Sequence, residues 1–293
     1  MGWPIPFARH IGLSMFRLFD FSTFRLFAFT LVLMFSGCHG RRTNTRLLGP
    51  AIPLADAAAI VNENLARAQG TLRANGAVDA TVTMPSGRRR SLHLDGVLFF
   101  LEPRYLRLDL KSFGERQMLL GSNLTEYWVY DREEDRYQCG RHGDRGALPA
   151  GIRIRPAQLI DALGLSPIPT QAVSPDGVRR VQRIEGEFQQ VLFLERDAQG
   201  HLGLQKEYWL DRNEPRLVRR VIFRDAEGRL EMDSRLEDYA ASFPGGPLLP
   251  RALTARWPRE GAEINFRFSK WTMEPSVKAD GIQFATPKEC GKE

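Results

Sequence analysis

Residues 96–137 read GVLFFLEPRYLRLDLKSFGERQMLLGSNLTEYWVYDREEDRY, and this stretch decides the fold class. Leu106, Leu108 and Leu110 alternate with Tyr105, Arg107 and Asp109, the period of a strand with one buried face. Ser112–Gly114 and Ser122–Asn123 interrupt the apolar runs with turn-forming residues. The run from Leu124 to Asp131 follows, with Trp128 and Tyr130 sharing one parity. The pattern predicts four or five consecutive antiparallel strands whose apolar face must be covered.

On either side of this meander the periodicity changes. Asp56 is a plausible N-cap for a helix over Ala57–Asn75, with Ile60, Val61, Leu65, Ala68 and Leu72 at helical spacing and Gly76 as its stop. Ala77–Met84 reads as the first strand, and Pro85–Arg90 as a hairpin loop whose Arg88, Arg89 and Arg90 are solvated or dock an anionic partner. Ser91–Asp95 and Val97–Leu101 return. Gln138–Ile152 is Gly-rich and charged, which predicts an exposed loop. Arg155-Pro156 opens a short helix over Ala157–Leu163, with Pro at its first turn and Leu159, Ile160 and Leu163 as its apolar edge.

A second meander is predicted over Val178–Asp197, Leu202–Asp211, Arg216–Arg224 and Leu230–Ala240, each break carrying turn chemistry. Phe243–Pro250 reads as a rigid loop. Leu253–Trp257 and Ile264–Trp271 are the last strands, with Ile264, Phe266 and Phe268 on one face. Short strands at this spacing point to an all-β sandwich or barrel, and no internal domain boundary stands out.

The first 37 residues read as a targeting segment. Arg9, Arg17 and Arg25 precede the apolar run Leu26–Phe35, and Phe35-Ser36-Gly37-Cys38 has the small residues of a lipobox before its Cys. The apolar run is shorter than the roughly 20 residues a membrane-spanning helix needs. We therefore expect 1–37 to be a lipoprotein signal peptide, started at Met1 or Met15, and Cys38 to be lipidated. Residues 38–55, with Arg41, Arg42 and Arg46, read as a flexible basic tether. The folded domain is expected over 56–287, with 288–293 as a tail.

The motifs within the meanders resemble the LolA/LolB-type lipoprotein carriers of the bacterial envelope. That family has a strand of the form x-x-P-x-x-hydrophobic, here Leu101-Glu102-Pro103-Arg104-Tyr105-Leu106. A second pattern, ending in hydrophobic-W-hydrophobic-Y-[DN], appears here as Leu120–Asp131. Glu102 stands where the soluble carrier has Arg before the Pro, and Leu124 replaces the turn Gly. Phe284-Ala285-Thr286-Pro287 resembles the family's closing strand.

The resemblance implies a mainly β fold: a curved antiparallel sheet forming an incomplete barrel. An amphipathic N-terminal helix and a short lid helix would lie in its concave groove. It also implies acyl chains of lipoproteins or phospholipids as ligands, with Leu106, Leu108, Leu110, Trp128, Tyr130, Phe266 and Phe268 lining the groove. Leu159, Ile160 and Leu163 would form the lid, or belong to a simple connection that closes the core. His39 rather than Asp follows Cys38, which among lipoproteins directs the chain to the outer membrane, facing the periplasm. The same scaffold also serves structural or envelope-stress-sensing lipoproteins that bind a protein partner.

Other chemistry is sparse. The chain has 41 Lys+Arg against 35 Asp+Glu, a net charge of +6 spread along its length, unlike the concentrated stripe of a nucleic-acid binder. His10, His39, His93, His142 and His201 are scattered, and Cys139 with His142 lacks a second ligand pair, so no metal or other cofactor is expected. No nucleophile elbow, P-loop or dinucleotide motif is present, and no catalytic role is expected. With Cys38 lipidated, Cys139 and Cys290 remain as an even pair, either a disulfide or two free thiols. A monomer is expected.

Overall fold

The computed structural model describes residues 48–83, 87–142, 155–196 and 199–291. The expected signal peptide, Cys38 and most of the tether lie outside the described residues.

Thirteen strands form one sheet. They are β1 (Leu72–Thr83), β2 (Arg89–Leu101), β3 (Tyr105–Ser112), β4 (Glu115–Ser122), β5 (Glu126–Asp131), β6 (Arg136–Arg141), β7 (Arg179–Glu185), β8 (Phe188–Arg196), β9 (Leu202–Asp211), β10 (Val218–Arg224), β11 (Leu230–Ala241), β12 (Leu248–Trp257) and β13 (Ala262–Met273). The order across the sheet is β6-β5-β4-β3-β2-β1-β13-β12-β11-β10-β9-β8-β7. Each pairing is antiparallel, so the two meanders are joined where β1 meets β13. The edges β6 and β7 do not pair with each other, and the sheet curls into an incomplete barrel. Helices α1 (Leu54–Ala66) and α2 (Pro156–Ala162) pack on its concave face.

The first helix is shorter than its periodicity predicts. It ends at Ala66, and Leu72–Asn75 belong to β1 instead of its last turn. Leu72 and Ala74 are each 1% exposed, held between Phe100 and Leu98 on β2 and Met273 and Trp271 on β13. Pairing on both sides satisfies the backbone of β1, which outweighs a weak helical preference. Pro53, not Asp56, occupies the N-cap position; Asp56 lies in the first turn, where a carboxylate favours the helix dipole.

Gly76 likewise is no helix stop. It sits at a bulge where β1 passes β13, and a Cβ there would fall 2.4 Å from the Arg267 carbonyl oxygen. Strand β2 runs unbroken through Gly96, Arg89 and Arg90 begin it, and Arg90 pairs with Glu133. The predicted loop after Tyr137 opens with β6, and the predicted loop over Phe243–Pro250 yields to β12 from Leu248.

The carboxyl-terminal segment also departs from expectation. Ile282–Phe284 and Lys288–Gly291 are 3-10 turns, so Phe284–Pro287 adds no strand to the sheet. Both neighbours of β13 are already taken, leaving no free edge beside it. The segment instead straps the convex face. Phe284 is buried against Tyr105, ring centroids 5.5 Å apart, and Cys290 is disulfide-bonded to Cys139 on β6 with Cα atoms 5.6 Å apart.

The closeness of Gly76 to β13 sets a test of the junction. Gly76→Ala should destabilise the protein by about 2 kcal/mol or more, because backbone on the facing strand must shift. Chemical denaturation of the two proteins checks this.

Candidate functional site

The concave face is built by strand parity. Ala74, Leu98, Leu108 and Leu120 stand opposite one another across β1–β4, and Val129 on β5 continues the row. Phe266 and Phe268 on β13 extend it into the second meander, opposite Val78 and Gly76. Leu106, Leu108, Leu110, Phe266 and Phe268 are all in this cluster, between 0% and 6% exposed. Ala57, Ala58 and Val61 of α1 fill the hollow above them.

Trp128 and Tyr130 are not part of this lining, which corrects the sequence expectation. Val129 opposes Leu120, so its neighbours of opposite parity project from the convex face. Trp128 lies over Gly121, where a Cβ would come within 2.2 Å of the indole, and is paired across the strands with Cys139. Tyr130 packs against the Tyr137 ring at 5.1 Å and donates to Asp135 Oδ1 at 3.0 Å. Both parities of β5 are rich in apolar residues, and only the register against β4 separates them.

Helix α2 lies across the hollow, touching β10 on one side and β4 on the other. Leu159, Ile160 and Leu163 are at most 2% exposed. Pro156 occupies its first turn, and Gln158 Oε1 accepts from the Arg155 backbone N–H at 3.3 Å.

Polar contacts pin α2 down. Asp161 accepts from Lys206 Nζ at 2.8 Å and from the Tyr208 hydroxyl at 2.9 Å, both on β9. The Lys206 ammonium also sits 4.7 Å from the Phe193 ring centroid. Burial and the neighbouring Asp161 carboxylate push the Tyr208 hydroxyl well above its ordinary pKa, so it stays protonated and donates. Ser234 Oγ donates to the Ala162 carbonyl at 2.9 Å. From the other side, the Asn62 amide on α1 both donates to the carbonyl and accepts from the N–H of Ile168, each at 2.8 Å. Asn64 makes the same two-way contact with Leu248 at the start of β12. No sequence motif marks these groups, because each is polar at a position whose neighbours come from distant strands.

Among the described residues the hollow is filled: Leu106, Leu108, Leu110, Phe266 and Phe268 are buried beneath Ala57, Ala58 and Val61 of α1 and Leu159, Ile160 and Leu163 at α2. At its margin, between α1 and the strands β10 and β12, a void of about 10 Å³ has room for about one water. An acyl chain could enter only if α1 or α2 moved. Among the described residues no group of three or more His, Cys, Asp or Glu side chains could hold a metal ion, and no helix is long and apolar enough to cross a membrane.

The convex face carries charge. Arg107, Asp109 and Lys111 alternate with the three buried leucines of β3. Arg116 Nε and Nη2 grip Asp109 at 3.0 and 2.8 Å, and Arg107 stands 3.5 Å away. Burial pushes the Asp109 carboxyl up, but the hydrogen bond and charge of Arg116, helped by Arg107 and Lys111, outweigh burial and hold its pKa below the ordinary value.

No protein-family model matches this sequence, and no curated protein matches it. Its fold does have counterparts among solved structures. A domain assigned to outer membrane lipoprotein sorting from Vibrio parahaemolyticus superposes with a TM-score of 0.50 at 13% identity, covering 77% of this chain and 95% of that one. A DUF1329 family protein from Desulfovibrio piger gives 0.50 at 10% identity, covering 78% and 96%. A LolA superfamily protein from Nitrosomonas europaea gives 0.47 at 12% identity, covering 76% and 94%. At these identities the likeness is one of fold: the chain has the incomplete barrel of the lipoprotein-sorting domains.

Two variants test this geometry. Asp161→Ala should cost about 1–3 kcal/mol by leaving the buried Tyr208 hydroxyl and the Lys206 ammonium without their acceptor. Amide hydrogen exchange in α2 should then quicken by roughly tenfold or more. Asp109→Asn should lower stability near neutral pH by about 1–3 kcal/mol. Because the folded-state pKa of Asp109 is depressed, its contribution is complete above the unfolded-state value of about 4 and is lost as pH falls through the folded-state value. Melting curves of the wild type and Asp109→Asn should therefore converge in acid.

Proposed function

We propose that this chain is an envelope lipoprotein that binds acyl chains under its helices and takes part in moving lipoproteins or lipids to the outer membrane. In this reading residues 1–37 are the signal peptide, Cys38 carries the lipid anchor, and the residues from Cys38 to Gly49 tether the domain to the periplasmic side of the outer membrane, because Gly49, Pro50 and Ile52 are already bonded to the domain through Asn213, Arg216 and Gln189 and Leu54 begins α1. The anchor favours an acceptor at a membrane over a diffusing shuttle, and the protein works as a monomer without a cofactor or catalytic step.

One observation carries the proposal. The concave face is apolar across both meanders, and its cover is two helices, packed on it through buried apolar residues and a few side-chain hydrogen bonds and tied to it by no covalent link. Each methylene buried there contributes about 0.8 kcal/mol, and that gain would have to offset both the hydrogen bonds and the apolar burial that a lifted helix gives up. The fold shared with a lipoprotein-sorting domain supports the same reading. Binding would select the state in which α2 has lifted, and affinity would be lowered by the rarity of that state.

The burial of the concave face beneath its own helices favours a second reading, a structural or stress-sensing lipoprotein that meets a protein partner and leaves its core filled.

Uptake of a fluorescent diacyl phospholipid separates the two. The transfer reading expects weak uptake by the wild type, at least fivefold tighter uptake by Asp161→Ala, and loss of uptake in Leu108→Glu, with circular dichroism checking that each variant folds. Tyr130→Ala, on the convex face, should leave uptake unchanged. No uptake by a folded Asp161→Ala protein would discard transfer in favour of a protein partner.

A further inference from the structure

The convex face holds a second cleft that the reading above does not use. The strap leaving β13 is fixed at one end where Glu274 N–H donates to the Thr71 carbonyl at 2.8 Å and Thr71 Oγ1 donates to the Val277 carbonyl. Its far end is fixed by the buried Phe284 and by Thr286, whose hydroxyl meets Asn123 Nδ2 at 3.0 Å and Glu126 Oε2 at 2.8 Å. The Cys139–Cys290 disulfide then locks it. Between these points the strap stands off the sheet and leaves a cleft of about 380 Å³.

Its floor is apolar, Val97 and Phe99 of β2, and its roof is Ile282, which is 82% exposed. One wall is charged. Arg107, Lys111 and Arg116 converge on Asp109, both of whose oxygens are already taken by Arg116. Among the described residues Lys111 makes no ion pair; Asp95 stands opposite it across the strands. Counting Asp95, three cations still face two carboxylates. Positive charge in excess therefore borders an apolar floor beneath an exposed apolar roof.

The volume lies at the small end of the roughly 300–1,000 Å³ range of ligand pockets, which suits one alkyl chain and not the paired chains of a phospholipid. An apolar trough with a cationic end matches a molecule that has a tail and an anionic head.

We infer that the cleft between the β2–β3 outer face and the carboxyl-terminal strap binds a single-chain anionic amphiphile, its tail between Val97, Phe99 and Ile282 and its head at Lys111 and Arg107. The head is a carboxylate or a phosphate, as in a fatty acid or a lysophospholipid. This site is on the opposite face of the sheet from the hollow under α1 and α2, so the two can succeed or fail separately.

Photo-crosslinking of the full chain in membranes tests it. The probes are palmitate and lysophosphatidate bearing a diazirine in the tail, with a diazirine hexadecanol as the neutral comparison. Cross-linked positions are read by peptide sequencing in the mass spectrometer. The expected result is labelling at Ile282 or Gln283 and at Val97 or Phe99 by at least one anionic probe, with the alcohol at least fivefold weaker. Whichever anionic probe labels more strongly identifies the head. Lys111→Glu should reduce this labelling at least fivefold; Val97→Asp, which disrupts the floor instead of the head site, should do the same. Strap labelling that is absent, equal with the alcohol, or unchanged in both variants would overturn the inference. Labelling confined to α1 and α2 would also overturn it while supporting the concave-face reading.

Discussion

The pairing of β1 with β13 is the constraint on which the structure depends. It joins the first strand to the last across nearly the whole described domain and turns two local meanders into one sheet. Without it each meander would expose its apolar face and one more edge. The junction places Ala74 and Val78 beside Phe266, Phe268 and Trp271, so the two halves share a single hydrophobic cluster. Gly76 permits the close passage, since a side chain there would strike the facing backbone.

Because the sheet curls, its two faces have different fates. The concave side concentrates leucine, valine and phenylalanine from both halves and is covered by α1 and α2. That cover is packed but not covalently fixed: besides its apolar burial, α2 is held by Asp161 and Ser234, and the segment after it by the Asn62 amide on Ile168, all hydrogen bonds of modest net value. The convex side is held differently, by a disulfide, by Arg116 on Asp109 and by aromatic contacts that bind the strap to the sheet. The concave side is thus held by apolar burial and hydrogen bonds, and the convex strap by a covalent link as well.

The family patterns around Pro103 and Trp128 led to the right fold class, and the helical run before the first strand led to the right cover. The turns between most strands were equally legible, since Asp, Asn, Gly and Pro mark them through local conformation. Errors arose where one residue pattern serves two structures. Leu65, Ala68 and Leu72 keep helical spacing beyond the helix, yet Leu72 is captured by β2 and β13. Trp128 and Tyr130 have the hydrophobicity of lining residues but the parity of the outer face. The alternation of Tyr105, Arg107 and Asp109 with the leucines is legible in the sequence; that Lys111 continues the row and what the row meets are not.

By itself the sequence determined the strand-rich class, the repeated turns, the amphipathic segment before the sheet and the inward set of Leu106, Leu108 and Leu110. These depend on backbone preference and on periods of two or 3.6 residues, which act over a few neighbours. Tertiary structure decided the β1–β13 junction, the inner parity of β5, the closed hollow, the Asp161 contacts and the strap with its cleft. Each depends on groups far apart in the chain, for which local spacing carries no information about which partner will be met or on which face.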